Sequence, residues 1–115
     1  MEIHGSCLCG KVTISSDATS IAGVVRCFCR DCQKHMGNFA PWVVCETENT
    51  TILGPVNAYP SSETAERLFC TECGASLAKR PLTGPKILIA AGIFDQPLDL
   101  PVIKEVFTEE RQDWM

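Results

Sequence analysis

The stretch Cys70-Thr71-Glu72-Cys73-Gly74 is the part of the sequence that decides how the chain folds. Two cysteines separated by two residues let a tight turn direct both sulfurs at one metal ion, and the glycine that follows can take the positive φ such turns often require. A redox dithiol has the same spacing, but it normally lies in a βαβ unit with a helix starting at the first cysteine. No such unit is evident here, so the pair indicates half of a metal site.

A second half-site lies near the N-terminus, in Cys7-Leu8-Cys9-Gly10. Two half-sites make a tetrahedral four-sulfur centre, which is the closed geometry of structural zinc. Such a centre would tie the N-terminus to the middle of the chain. We therefore predict a structural zinc bound by Cys7, Cys9, Cys70 and Cys73, the alternative being that these are plain buried thiols.

A third group, Cys27-Phe28-Cys29-Arg30-Asp31-Cys32, packs three sulfurs into six residues. So tight a run forms one face of a tetrahedron and leaves the fourth corner free, as in catalytic zinc. A thiol substrate would suit that corner, because zinc binds thiolate strongly. In the alternative, closed site, His35 or Cys45 is the fourth ligand; Cys45 otherwise has the pattern of a small core residue. We predict a second, catalytic zinc on Cys27, Cys29 and Cys32.

Charged residues flank these groups and are candidates for substrate binding. Arg30, Lys34 and Arg67 can stabilise thiolates or bind substrate carboxylates, although solvated surface charge is an equally simple interpretation. Arg30 ranks first, because it lies inside the ligand run. No convincing general base is visible; Asp31 and Glu72 are the acidic residues nearest the ligands in sequence.

The cysteine count has to be interpreted with the redox compartment. The N-terminus has no signal-peptide pattern, and no run approaches the roughly 18 apolar residues of a membrane span, so we expect a soluble cytoplasmic protein. The cytosol keeps thiols reduced, which favours metal ligation by the eight cysteines over four disulfides. Ten basic against fourteen acidic residues, with no basic cluster, argue against nucleic-acid binding.

Short apolar and β-branched runs recur between turn residues and predict a mostly β, single domain over residues 1–115. The predicted strands cover residues 11–15, 21–27, 39–45, 50–53, 56–59, 86–92 and 102–107, with a short helix over residues 30–36. Long connections around so small a core would be marginal without a metal. A structural zinc can add about 10 to 16 kcal/mol of apparent binding energy to folding.

The chain resembles the glutathione-dependent formaldehyde-activating enzyme family over nearly its whole length. The order and spacing of seven cysteines agree, which is far more specific than one pair. The matching stretches are residues 5–12, Cys27 to Lys34 with Gly37 and Phe39, 59–62, 67–77, 92–97, and a tryptophan close to the end.

The resemblance implies a β-tent fold of small antiparallel sheets. It also implies that the Cys-x-Cys and Cys-x-x-Cys pairs bind a structural zinc, while the central group binds a labile one where glutathione and formaldehyde combine into S-hydroxymethylglutathione. We therefore predict a zinc-dependent carbon–sulfur lyase with a small-molecule thiol such as glutathione as its partner, and neither nucleic acid nor membrane. The alternatives are a non-catalytic zinc-binding interaction module and a thiol or zinc redox sensor.

Overall fold

The computed structural model describes residues 2–115, and its regular structure is mainly β, as the sequence predicts. One α-helix, α1 (Arg30–Met36), lies where the short helix is expected. No helix among residues 2–115 combines the length and the apolar character that crossing a bilayer requires. The ten strands are β1 (Glu2–Ser6), β2 (Thr13–Asp17), β3 (Val24–Cys27), β4 (Ala40–Glu46), β5 (Thr50–Leu53), β6 (Val56–Pro60), β7 (Ala65–Cys70), β8 (Ser76–Pro81), β9 (Lys86–Ala90) and β10 (Val102–Val106).

The strands form a three-stranded sheet in the order β1-β2-β5 and a seven-stranded sheet in the order β10-β3-β4-β9-β8-β7-β6. The expected antiparallel pairing holds for every pair except β10 with β3, which is parallel. An antiparallel bridge from Gly5 to Phe94 connects the small sheet to the segment after β9. This arrangement carries the N-terminal cysteines towards the end of β7.

The core has two parts, and each contains a group of cysteines. The larger part collects buried aliphatic side chains from both sheets, such as Ile14, Val43 and Ile89, and also buries Cys45. The smaller part surrounds Trp42 and includes Cys27 and Cys32, together with Ala40 and Ala90. Cys45 is therefore a core residue, remote in packing from the three-cysteine group.

Three strands, β1, β7 and β8, fall outside the predicted ones. β7 (Ala-Glu-Arg-Leu-Phe-Cys) and β8 (Ser-Leu-Ala-Lys-Arg-Pro) are rich in residues that favour helices when considered alone. They are strands because they pair with each other and with β6 and β9. Neighbouring strands outweigh intrinsic preference here, since β-propensity depends strongly on context.

Candidate metal centres and the adjoining cavity

The four-cysteine cluster forms where two turns meet. Cys7 and Cys9 lie in the turn between β1 and β2, whereas Cys70 ends β7 and Cys73 lies in the turn before β8. Their four sulfurs lie within 4.8 Å of one another. The Cys7 to Cys9 separation is 3.5 Å and the Cys9 to Cys70 separation is 3.8 Å, close to the edge of about 3.8 Å in a tetrahedron with zinc–sulfur bonds of about 2.3 Å. The cluster can therefore hold a metal ion.

Glycines and backbone amides shape both turns of this cluster. Gly10 and Gly74 have φ of 80° and 75°, the left-handed conformation expected after each pair. The Val12 amide donates to Cys7 Sγ at 3.2 Å. The amides of Glu72 and Cys73 donate to Cys70 Sγ at 3.4 and 3.5 Å. Such amides favour thiolate, the form that binds metal.

The neighbouring thiols of this cluster differ widely in pKa. Burial raises the pKa of Cys7, but the Val12 amide and the neighbouring thiols outweigh it and lower that pKa to about 6. For Cys9 the Lys11 amide lowers the pKa, whereas burial and the neighbouring thiols raise it, to about 11. Negative charge on one sulfur thus opposes charge on the next. A cation among the sulfurs would relieve this repulsion.

The three-cysteine cluster is built from one continuous segment. Cys27 ends β3, Cys29 is the N-cap of α1, and Cys32 lies in the first turn of the helix. The Cys32 amide donates to Cys29 Sγ at 3.3 Å, so one ligand caps the helix that carries the next. The three sulfurs lie within 4.8 Å of one another, and this cluster too can hold a metal ion. Among the described residues, neither His35 nor Cys45 has a ligand atom within that distance of all three sulfurs.

Arg67 is the buried cation of this site. It is only 4% exposed, and its Nη1 donates to Cys32 Sγ at 3.4 Å while its Nε donates to Ser61 Oγ at 3.2 Å. The pKa of Cys32 is lowered to about 4, mainly by the neighbouring Cys27 thiol, with burial opposing and Arg67 assisting. The same contact with Cys32 raises the pKa of Cys27. Arg67 is one of the three basic residues that the sequence analysis selects as candidates near the clusters, but only the structure shows that it is buried against a sulfur.

Trp42 and His35 complete the wall behind Cys32. Their rings lie 6.3 Å apart between centroids. The Trp42 indole N–H contributes to the low pKa of Cys32, although it makes no hydrogen bond of normal geometry to any of the described residues. Neither ring nitrogen of His35 has a hydrogen-bond partner among the described residues. Burial, followed by repulsion from Arg67, lowers the pKa of His35.

A cavity of about 520 Å³ adjoins the three-cysteine cluster through Arg67, which contacts Cys32 and also lines the cavity. Lys34 and Asp31 from α1 and Tyr59 from the edge strand β6 lie on its wall. Two cations and a phenol suit an anionic, polar ligand. The cysteine sulfurs themselves are not on this wall.

The other predicted residues lie elsewhere. Arg30 lines a smaller cavity of about 110 Å³ and donates to the Gln33 side chain, and it is not among the residues that line the larger cavity. Glu72 pairs with Lys11 at 3.4 Å beside the four-cysteine cluster. The buried Gln33, whose side-chain amide donates to the Phe28 and Glu110 carbonyls, is a residue that sequence reasoning missed. Gln33 directly follows the ligand Cys32, and nothing in the local sequence pattern indicates that its polar side chain is buried.

Comparisons with known proteins identify the family and the fold. The family model for the glutathione-dependent formaldehyde-activating enzyme matches residues 2–110. The structure is similar to the crystal structure of a Rhodobacter sphaeroides protein, with a TM-score of 0.70 and 22% identity, over 90% of this chain and 99% of that chain. At that identity the likeness shows a common fold. No curated protein matches the chain. By the extent of the family match, which includes both cysteine clusters, this chain belongs to the glutathione-dependent formaldehyde-activating enzyme family.

Proposed function

We propose that the chain is a zinc-dependent carbon–sulfur lyase that acts on a thiol–aldehyde adduct of the S-hydroxymethylglutathione type. The observation that carries the proposal is a cluster of three sulfurs next to a cavity lined by Lys34 and Arg67, with no further His, Cys, Asp or Glu ligand atom within 4.8 Å of all three sulfurs among the described residues. Residues 1–115 act as one domain with two zinc ions, in the reducing cytosol, where the cysteines are not oxidised to disulfides and can bind metal. Family membership supports glutathione as the thiol.

The two clusters have different roles in this proposal. Cys7, Cys9, Cys70 and Cys73 hold a structural zinc that joins the N-terminus to β7. Cys27, Cys29 and Cys32 hold a second zinc, which when bound supplies thiolate stabilisation and Lewis acidity. The Arg67 guanidinium compensates the negative charge of the three thiolates, because it is the buried cation that contacts one of them.

The cavity supplies binding and proton transfer. Lys34 and Arg67 line it and suit the carboxylates of a glutathione-like thiol, whereas Arg30, the first choice from sequence, is engaged with Gln33. In the lyase direction the carbon–sulfur bond breaks, its electron pair stays on sulfur, and the hydroxyl loses its proton as the carbonyl forms. Asp31 lies on the cavity wall and is the carboxylate candidate for that proton.

The test is a titration of cobalt-substituted protein with glutathione. A free metal position at the three-cysteine cluster predicts a change in the sulfur-to-metal charge-transfer band, and the glutathione analogue with serine in place of cysteine should change it much less. Lys34→Ala, Arg67→Ala and Arg30→Ala report which cation binds a carboxylate, at a cost of about 1.5 to 3 kcal/mol for a charged hydrogen bond. A spectrum indifferent to glutathione would reject the lyase.

One observation favours a second candidate, a zinc-binding interaction module with a closed second site. His35 lies one helical turn after Cys32, and its buried ring nitrogens lack partners among the described residues. A rotation of this side chain could bring a nitrogen towards the sulfurs. His35→Ala should then change the cobalt spectrum in the absence of glutathione, whereas in the lyase proposal it should not.

A further inference from the structure

The two peptide groups that flank Phe28, between the first two ligands of the three-cysteine cluster, are each held by a hydrogen bond. Phe28, which lies between Cys27 and Cys29, is 2% exposed. Its N–H donates to the Val106 carbonyl of β10 at 3.1 Å. Its carbonyl accepts from the Gln33 side-chain amide at 2.7 Å. These two bonds restrain the backbone of Phe28, and with it the relative placement of Cys27 and Cys29 on either side.

Gln33 is buried, at 5% exposure, and every hydrogen-bonding position of its side chain is used. Nε2 donates to the carbonyls of Phe28 at 2.7 Å and Glu110 at 2.9 Å. Oε1 accepts from Gln112 Nε2 at 2.7 Å and from Arg30 Nη1. A primary amide has two donors and two acceptor positions, so this one is saturated. Gln33 therefore connects the ligand loop, α1 and the C-terminal segment, residues 107–115.

The C-terminal segment also packs on the ligand loop. The Arg111 guanidinium lies 5.2 Å from the Phe28 ring centroid, and the Phe39 ring is 5.4 Å from Phe28 between centroids. Trp114 Nε1 donates to Gln112 Oε1 at 3.0 Å, which fixes the Gln112 amide that bonds Gln33. Residues at the far end of the chain thus hold the loop that carries two ligands.

We propose that Gln33 is a positioning residue for the second metal site, anchored by Gln112 of the C-terminal segment. The proposal rests on the proposed second zinc. Gln33 touches no ligand sulfur in the described contacts; it acts through the Phe28 carbonyl and through α1, whose first turn carries Cys32. A ligand loop that is already ordered in the folded protein binds zinc with higher affinity, because no further conformational entropy is lost when the metal binds.

The test uses full-length, zinc-loaded protein in competition with a chromophoric chelator, which reports the affinity of each site. Gln33→Met keeps the volume but removes all four hydrogen bonds, and should weaken the second site about 10- to 100-fold. The four-cysteine site should be unchanged. Gln96→Met is the matched control, since Gln96 is exposed and lies among the residues of another cavity, and it should change neither site.

A milder variant keeps the proposal testable where Gln33→Met does not fold. Gln112→Ala leaves both Gln33 donors in place and should weaken the second site about two- to tenfold, which corresponds to one neutral hydrogen bond. The cobalt d–d spectrum of the second site should also shift in both variants, which a general loss of stability would not cause. Equal second-site affinity in wild type and both variants, or parallel weakening of both sites, overturns the role of Gln33. Wild type that binds a single zinc overturns the proposed function and this inference together.

Discussion

The two cysteine clusters differ in how the chain brings the sulfurs together. In the four-cysteine cluster, Cys9 and Cys70 meet although 61 residues separate them, and backbone amides are the donors to the sulfurs. In the three-cysteine cluster, six consecutive residues supply every sulfur, and distant parts of the chain supply the support: Arg67 from β7, the Val106 carbonyl from β10 and the C-terminal segment through Gln33.

This difference suggests a division of roles: the four-cysteine cluster holds the fold together, and the three-cysteine cluster binds a ligand. A centre whose four ligands come from two distant turns connects those turns and has no position left for a substrate. A centre whose ligands come from one loop connects little, so removing its metal should leave the sheets intact. The neighbouring cavity, lined by Arg67 and Lys34, offers space for a further ligand. The predictions below test this division, starting with the largest expected effect.

The largest effect should come from removing a ligand of the four-cysteine cluster. Cys70→Ser should unfold the domain or strongly destabilise it at 25 °C, because structural zinc contributes about 10 to 16 kcal/mol of apparent binding energy to folding. Cys29→Ser should leave a folded protein that keeps one zinc. Thermal unfolding followed by circular dichroism, with metal analysis, compares the two variants. Equal damage would contradict the division of roles.

Metal removal should separate the clusters in the unmodified protein. Freshly prepared protein should contain close to two zinc ions per chain, and mild chelation should reduce this towards one without loss of β structure. The four-cysteine site should retain its metal, because its ligands come from two distant turns and metal binding is coupled to folding. Metal analysis alongside far-ultraviolet circular dichroism provides the measurement. Protein without zinc, with its thiols in disulfides, would remove the basis for both centres.

Replacement of Arg67 should weaken the second site and leave the first unchanged. Arg67→Met removes a charged hydrogen bond to Cys32, a loss of about 1.5 to 3 kcal/mol in zinc binding. Arg67 helps to lower the pKa of Cys32, so the variant raises that pKa and protons displace the metal more readily. Acid release of the second zinc should therefore move to higher pH.

Arg80→Met is the matched control for Arg67→Met, because Arg80 makes an exposed ion pair with Glu66 and exposed pairs contribute little. Zinc titrations across pH should give the same curve for this control and wild type. A shift of the same size in both variants would mean that overall charge, rather than the buried contact, sets the affinity.

The smallest effect should come from His35→Leu. This change removes two buried nitrogens that have no partner among the described residues, so the free energy of unfolding should stay within about 1 kcal/mol of wild type or increase. If the second site has a free position, the cobalt spectrum should not change. Loss of a nitrogen ligand from that spectrum would instead support the closed site.

The redox-sensor alternative predicts that the two clusters respond differently to oxidation. Mild peroxide should then release the second zinc and form a disulfide within the three-cysteine cluster, with a change in binding or oligomeric state that a reductant reverses. Oxidation that releases zinc without any reversible change in the protein would give no support to a sensor. The four-cysteine cluster, whose ligands come from two turns, serves as the internal reference.

The sequence by itself determined the grouping of the cysteines, the helix at Arg30–Met36 and seven of the strands. These features depend on local spacing: ligand pairs lie two or three residues apart, and strand residues alternate or run apolar over four to seven positions. β7 and β8 escaped this reasoning, because their helix-favouring residues become strands only through pairing with their neighbours.

Only the tertiary structure decided which polar residues serve the three-cysteine cluster. Arg67 is 35 residues from Cys32, and Gln112 is 79 residues from Gln33, so no local pattern could join them. The parallel pairing of β10 with β3 brings the C-terminal segment over the ligand loop and turns an unremarkable glutamine into a saturated buried amide. Burial of a polar side chain is a property of the surroundings that fold around it, and those surroundings come from every part of the chain.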